Sequence, residues 1–309
     1  MNVKRQSVIW LHNLRDRKRE PAKPRTLMAY RSYITNWILP TMGGLALSEV
    51  KNAALKDLVT RMAAAGKSPA TIAGAINCVK CILRSAVSDE GDYLYPMQWN
   101  NEFIDAPPVN ARDQKSPAID AAGVVGAISR MEGQYRPLVA LLAGTGMRIS
   151  EALAIRKGPS PQFTDWDPVK AIVSVRTQSY RGIEGTPKSA AGYREIDVAA
   201  PLNDYLKECF SEVPAGDRLF VNRKDGALSI DTADERRTAA GIPGFHAFRR
   251  FRLTHLRASR VPEDIIKFWI GHADKDITDR YSKMAEDVEA RKRYAASTGL
   301  GFEIPKEAQ

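Results

Sequence analysis

The chain has 309 residues, 44% of them hydrophobic, enough to bury sizeable cores and long enough for two domains. It carries 46 Lys and Arg against 36 Asp and Glu, a net charge of +10, and this basic balance favours a polyanionic partner. No stretch approaches the roughly 18 apolar residues of a membrane span, and the opening MNVKRQSVIWLHNLRDRKRE lacks the small-residue cleavage site of a secretory signal, so a cytoplasmic protein with no membrane partner is expected.

The pattern is helical from Thr26 to about Ala86. TLMAYRSYITNWI reads as one amphipathic helix, stopped by Pro40 and the Gly43-Gly44 pair. LSEVKNAALKDLVTRMAAAG opens with an imperfect capping box at Ser48 and ends at Gly66, a C-cap candidate. Ser68-Pro69 starts the next helix, with Pro69 suited to a first-turn position. Cys78 and Cys81 form a CxxC inside that helical pattern, with no second CxxC or histidine pair, and read as core thiols. Three cysteines, an odd number, argue against a disulfide framework.

Composition changes near Tyr93–Pro117, where Asp105-Ala-Pro-Pro and Lys115-Ser-Pro mark irregular chain. The boundaries expected are a helical domain at 1–105, a linker at 106–117 and a second domain at 118–309. Helical patterns resume at Asp120–Met131, Arg136–Ala143 and Ile149–Ile155. AIVSVRTQ and YREIDV, separated by a glycine-containing turn, read as a small antiparallel sheet. From Phe245 the chain is helical again, broken at Val261-Pro262 and Gly271. The fold class expected is mainly α with a small antiparallel β-sheet, α+β.

Two runs carry chemistry. In Gly144-Thr-Gly-Met-Arg148-Ile-Ser-Glu151 an apolar helix ends at a glycine turn beside an arginine. Glycines let backbone approach a ligand, and such an arginine can fork onto a phosphate. An Arg148–Glu151 surface pair at i,i+3 explains the same residues equally well. The second run is His246-Ala-Phe-Arg249, then Gly271-His272, then Tyr281, which gathers two imidazoles, a fixed positive charge and a phenol in a chain with four histidines. Those groups can attack a phosphodiester without a metal or cofactor: the phenol as nucleophile, the guanidinium against phosphoryl oxygens, the imidazoles donating hydrogen bonds or moving protons.

GTGMRISEAL followed by HAFRR, IGH and a tyrosine nine residues beyond resembles the tyrosine recombinase (phage integrase) family, in the order and spacing of several separate boxes. The resemblance implies a helical core-binding domain with a SAM-like fold and a catalytic domain, closing as a C-shaped clamp around double-stranded DNA. By position, Arg148 and Arg249 match the two arginines that clamp the scissile phosphate, and His246 matches the histidine of the HxxR box. His272 matches the residue that bonds a non-bridging oxygen, Tyr281 the nucleophile, and Lys188 the β-hairpin lysine that protonates the departing 5′ oxygen. Arg181 lies close to Lys188 in sequence and leaves that assignment the least constrained. The resemblance further implies a homotetramer on DNA, with accessory DNA-bending or directionality proteins, integration or excision of a mobile element, and nucleoid association. It also implies a tail near Ala285–Gly299 that packs against a neighbouring protomer. The rivals are a type IB topoisomerase-like enzyme and a non-catalytic DNA-binding regulator of the same fold.

The remaining polar residues have plainer readings. Tyr294 competes with Tyr281 but lacks its offset from His272. His255 reads as a helix-orienting or packing residue. Arg250 and Arg252 are expected to serve DNA backbone or acidic partners, and the Arg15–Arg19 and Arg291–Arg293 runs to be solvated faces. Two departures from the family pattern are Arg260, where many relatives close the helix with glycine, and Trp269-Ile270 before Gly271, where leucine is usual.

Overall fold

The computed structural model describes residues 1–19, 21–110, 118–187, 189–272 and 286–306. The chain forms two compact units, Met1–Asp113 and Gln114–Gln309, each with its own hydrophobic core.

The first unit is helical. α1 (Val3–Asp16) is capped by Asn2, whose side chain accepts from Arg5 N. α2 (Pro24–Tyr33), a π-helical turn (Ile34–Ile38) and α3 (Leu39–Met42) then run on without a break. Pro40 therefore does not stop the helix, contrary to the sequence reading. The π turn, closed by Leu39 N–H on Ile34 O, shifts the hydrogen-bond register just before Pro40, so the missing proline N–H falls in the first turn of α3. α4 (Asn52–Ala64) begins later than expected from Ser48, because Glu49 closes a separate 3-10 turn, accepting from Ala46 N at 2.8 Å. Its end is as read: Gly66 has φ +66°, with Lys67 N–H on Met62 O and Gly66 N–H on Ala63 O. Ser68 caps α5 (Pro69–Arg84), and the short α6 (Asn101–Ile104) follows. Ile38, Leu55, Leu58, Met62, Ile72 and Ile82 build the core, and Cys78 lies among them, its thiol pushed up to about 12 by burial.

In the second unit α7 (Ala121–Arg130) and α8 (Tyr135–Thr145) lead to the one-turn α9 (Ile149–Ala152). β1 (Arg156–Lys157), β2 (Asp165–Asp167), β3 (Ile172–Val175), β4 (Gln178–Tyr180), β5 (Ile183–Gly185) and β6 (Arg194–Asp197) come next. α10 (Ala200–Cys209), α11 (Ile230–Ala239), α12 (His246–Ala258), α13 (Glu263–Ile270) and α14 (Val288–Thr298) complete the described elements. The fold is mainly α with small sheets. The two strands legible in the sequence are β3 and β6, antiparallel with Val173 opposite Ile196. They belong to a sheet ordered β1-β2-β3-β6 in which β1 joins β2 in parallel, and β4 and β5 make a separate hairpin. α8 is buried from Pro137 through Thr145, the all-round apolar pattern of a central helix, and α12 packs along it.

Two arginine expectations are overturned here. Arg291 on α14 is buried: its Nε donates to Asp197 Oδ2 at 2.9 Å and Nη2 to Glu195 Oε2 at 3.0 Å. Arg252 on α12 is buried too and donates to the carbonyls of Gly299 and Leu300. Both hold the C-terminal segment onto its own unit, where Ala295 and Leu300 enter the core; the segment expected to reach a neighbour is docked in cis.

Candidate active site

The site is assembled where α8 ends. Gly146 takes the left-handed conformation that ends the helix, φ +69°, where a side chain would be strained and a Cβ would meet Ile270 Cδ1 of α13 at 2.7 Å. Gly146 O accepts from Arg249 Nη1 at 2.9 Å, which pins the HxxR arginine of α12 against the turn that carries Arg148. Arg249 is 4% exposed, and its Nη2 is buried with no hydrogen-bond partner among the described residues. Burial first, then the like charge of Arg148, pulls its pKa down to about 9. It stays a cation at neutral pH, with the two N–H donors of Nη2 still to be satisfied among the described residues.

Arg148 caps α9 and is the most accessible cation of this group, its side chain 37% exposed. The i,i+3 pair with Glu151 exists, at 2.8 Å, but it is not a surface pair, because Glu151 is 2% exposed. Glu151 also accepts from the Arg148 backbone N–H at 2.9 Å and from Arg194 Nη2 at 2.8 Å. Burial alone would raise the Glu151 carboxyl; Arg194 and Arg148 outweigh it and hold the group below the usual carboxylate range. Arg148 Nη2 reaches Gly271 O at 3.3 Å, so the residue beside His272 shares the same guanidinium.

His246, the first residue of α12, and His272, just after α13, are both exposed. Partial burial and then Arg249 lower both imidazole pKa values, and both also feel Arg148. The four side chains thus share one electrostatic neighbourhood and bring neutral imidazoles beside two fixed charges. This arrangement suits a tetrahedral oxyanion. Lys188 and Tyr281 lie outside the described residues. Arg181, the neighbour that left Lys188 least constrained, sits in the β4–β5 turn with φ +51° and pairs with Asp231 at 3.0 Å. Among the described residues no cluster of three or more His, Cys, Asp or Glu could hold a metal ion.

The other candidates resolve into packing. His255 Nε2 lies 3.0 Å from Thr298 O and its ring stacks on Phe251, in keeping with the orienting role read for it. Tyr294 packs against the core. Trp269 is 2% exposed and its Nε1 donates to Asp197 Oδ2, which accounts for a tryptophan before Ile270. Arg194, six residues beyond Lys188, drew no role of its own from the sequence, yet it is 5% exposed and bonded to Glu151. The signal was present in the strand alternation: Arg194 is in phase with Ile196, on the buried face, where a charge needs a buried partner.

Comparison with known proteins supplies the family. Residues 125–287 match the model of the phage integrase family. Curated relatives include tyrosine recombinase XerC of Methylobacterium nodulans, 28% identical over 201 residues, 59% of this chain and 58% of that protein. XerC of Bradyrhizobium diazoefficiens is 31% identical over 152 residues, 47% of this chain and 44% of that one. The match thus spans less than two thirds of these relatives' lengths. Among solved structures, the Tn1549 transposon integrase in complex with transposon right end DNA superposes with a TM-score of 0.68 at 15% identity, over 93% of this chain and 99% of that one. A lambda integrase dimer bound to a COC' core site gives 0.63 at 16% identity, over 89% and 96%. At these identities the structures speak for the fold, and the family model, matching more than half of the residues, speaks for descent: the chain belongs to the phage integrase family.

Proposed function

We propose that the protein is a site-specific DNA recombinase that cuts and rejoins strands through a 3′-phosphotyrosyl link, serving the integration or excision of a mobile element. The observation that carries this reading is the Arg249 guanidinium held on the turn that carries Arg148, with Nη2 buried and without a hydrogen-bond partner among the described residues, and with His246 and His272 within the electrostatic reach of both arginines. In this reading Arg148 and Arg249 fork onto the non-bridging oxygens of the scissile phosphate, and His272 donates to one of them. Tyr281 Oη attacks phosphorus, its proton passing to the neutral His246 imidazole. The phosphorus–O5′ bond breaks, and Lys188 protonates the departing oxygen. Reversal of these steps by a free 5′-hydroxyl reseals the strand, so the bond energy is conserved and neither ATP nor metal is consumed.

The helical first unit serves as the core-binding domain, and both units bind double-stranded DNA. Four protomers act on two duplexes, with accessory DNA-bending or directionality proteins, in the cytoplasm at the nucleoid. The named relatives and the DNA complexes of neighbouring structures support this reading.

A suicide duplex nicked near the scissile phosphate tests it, because loss of the short 5′ fragment traps the covalent adduct. The wild type should accumulate adduct. Tyr281→Phe should form none, and Arg148→Ala or Arg249→Ala should slow its formation about 10²- to 10³-fold, the usual cost of one donor to a developing oxyanion. Relaxation of plasmids without any specific site would favour the topoisomerase reading. Absence of adduct from the wild type would favour the non-catalytic regulator.

A further inference from the structure

Arg194 is a buried charge whose bonds lead to the site, its side chain 1% exposed. Its guanidinium is held at every nitrogen. Nε donates to Trp269 O at 2.7 Å, Nη1 to Gly192 O at 3.0 Å and to Glu151 Oε1 at 3.3 Å, and Nη2 to Glu151 Oε2 at 2.8 Å. Two of these acceptors, Glu151 and Trp269, lead to site groups. Glu151 orients Arg148 through its side chain and its backbone N–H. Trp269 lies in the last turn of α13, whose end, Gly271, accepts from Arg148 and precedes His272. The fit at Gly271 is close: φ is +69°, and a Cβ there would come within 2.9 Å of Arg194 Nη1.

We propose that Arg194 is a positioning residue that fixes the Arg148 guanidinium and the His272 turn relative to one another, through Glu151 and the α13 carboxyl end. The proposal rests on the reading of Arg148 as a phosphate clamp. A planar fork on a strand of the sheet suits this task, because it can hold a carboxylate and a carbonyl in one plane. A lysine keeps the charge and loses the plane. Partners of this kind, one layer behind the acting groups, typically change rates by about 10- to 100-fold.

The experiment compares cleavage of two suicide duplexes, one with an ordinary scissile phosphate and one with a methylphosphonate there. The methylphosphonate is neutral, so its transition state carries one negative charge fewer and needs less from Arg148. Arg148→Ala should be slow on the phosphate and largely restored on the methylphosphonate. Arg194→Lys should lose about 10- to 100-fold in single-turnover rate on the phosphate, keep wild-type DNA affinity, and be restored on the methylphosphonate in the same way. Arg148→Ala combined with Arg194→Lys should be no slower than Arg148→Ala alone. Should Arg194→Lys not fold, the pair Glu151→Met with Arg194→Met removes both buried charges together, and its rates should show the same restoration.

A phosphate rate equal to wild type in the folded variant overturns the proposal. So does an equal defect on both substrates while Arg148→Ala is restored, since a loosened fold slows both alike. Failure of Arg148→Ala itself to be restored overturns the reading of Arg148, and the proposal with it.

Discussion

His246 and His272 set the pH response of the site residue by residue. Partial burial, Arg249 and Arg148 lower both imidazoles in the folded chain. Well above the unfolded value of about 6.5 both states are neutral, and the shift has no effect on stability. As pH falls below that value, the unfolded chain takes up protons that the folded chain resists, so stability is lost. A phosphate seated between the arginines reverses the sign, because its charge favours the imidazolium. Between about pH 7.5 and 5.5 the Tm of the free protein should fall more for wild type than for His246→Gln combined with His272→Gln, and the affinity of wild type for its DNA should rise. Parallel Tm curves for the two proteins would refute the coupling between these imidazoles and the arginines.

The helix ends show how closely elements follow local chemistry. α4 and α13 close in the same manner, with a left-handed glycine whose own N–H and the next one turn back onto the helix: Gly66 with Lys67, and Gly271 with His272. α12 closes with the same pair of bonds, Arg260 N–H on Arg257 O and Val261 N–H on Leu256 O, but the residue in the left-handed position is Arg260, φ +56°. A side chain there costs about 1–2 kcal/mol, of which a glycine returns part in backbone entropy. Arg260→Gly should therefore stabilise the second unit by about 0.5–1 kcal/mol, a Tm rise of roughly 1–4 °C in a calorimetric scan. A lower Tm would mean that the Arg260 side chain contributes more than its backbone costs. These ends, the Ser68 cap and the β3–β6 pair could be read from the sequence because their causes are local. Pro40 was misread because its tolerance depends on a π turn one step earlier. The β4–β5 hairpin was missed because its strands are three residues each and its turn residues are Arg181 and Gly182, with Arg181 in a conformation usually left to Asn or Gly. The site residues were legible as separate boxes. Their second layer was not, since Glu151, Arg194 and Trp269 meet only through contacts more than 40 residues apart in sequence.

At the scale of the whole molecule, both units are basic. Residues 1–113 hold sixteen Lys and Arg against ten Asp and Glu, and residues 114–309 hold thirty against twenty-six. The surplus of the second unit is not all available to a polyanion, because Arg194, Arg249, Arg252 and Arg291 are buried and bonded within it. Two of them, Arg252 and Arg291, secure the C-terminal segment, and His255 holds Thr298 O beside them. Leu300 lines the same packing, close enough to Gly144 that a Cβ there would meet it at 3.1 Å. The segment is therefore part of the core behind the Arg148 turn. Removing residues 288–309 would leave Asp197 without its cation, Arg252 without its carbonyl acceptors, and a cavity where Leu300 and Ala295 pack. A buried charge stripped of its partner costs about 3–5 kcal/mol and a lost core leucine about 2–5. The truncated protein should accordingly melt at least about 10 °C lower, at roughly 2–4 °C per kcal/mol for a unit of this size. A segment whose contribution lay only in contacts between protomers would leave the Tm of the isolated chain unchanged on truncation and weaken assembly on DNA alone, and that outcome would overturn the cis packing as a source of stability.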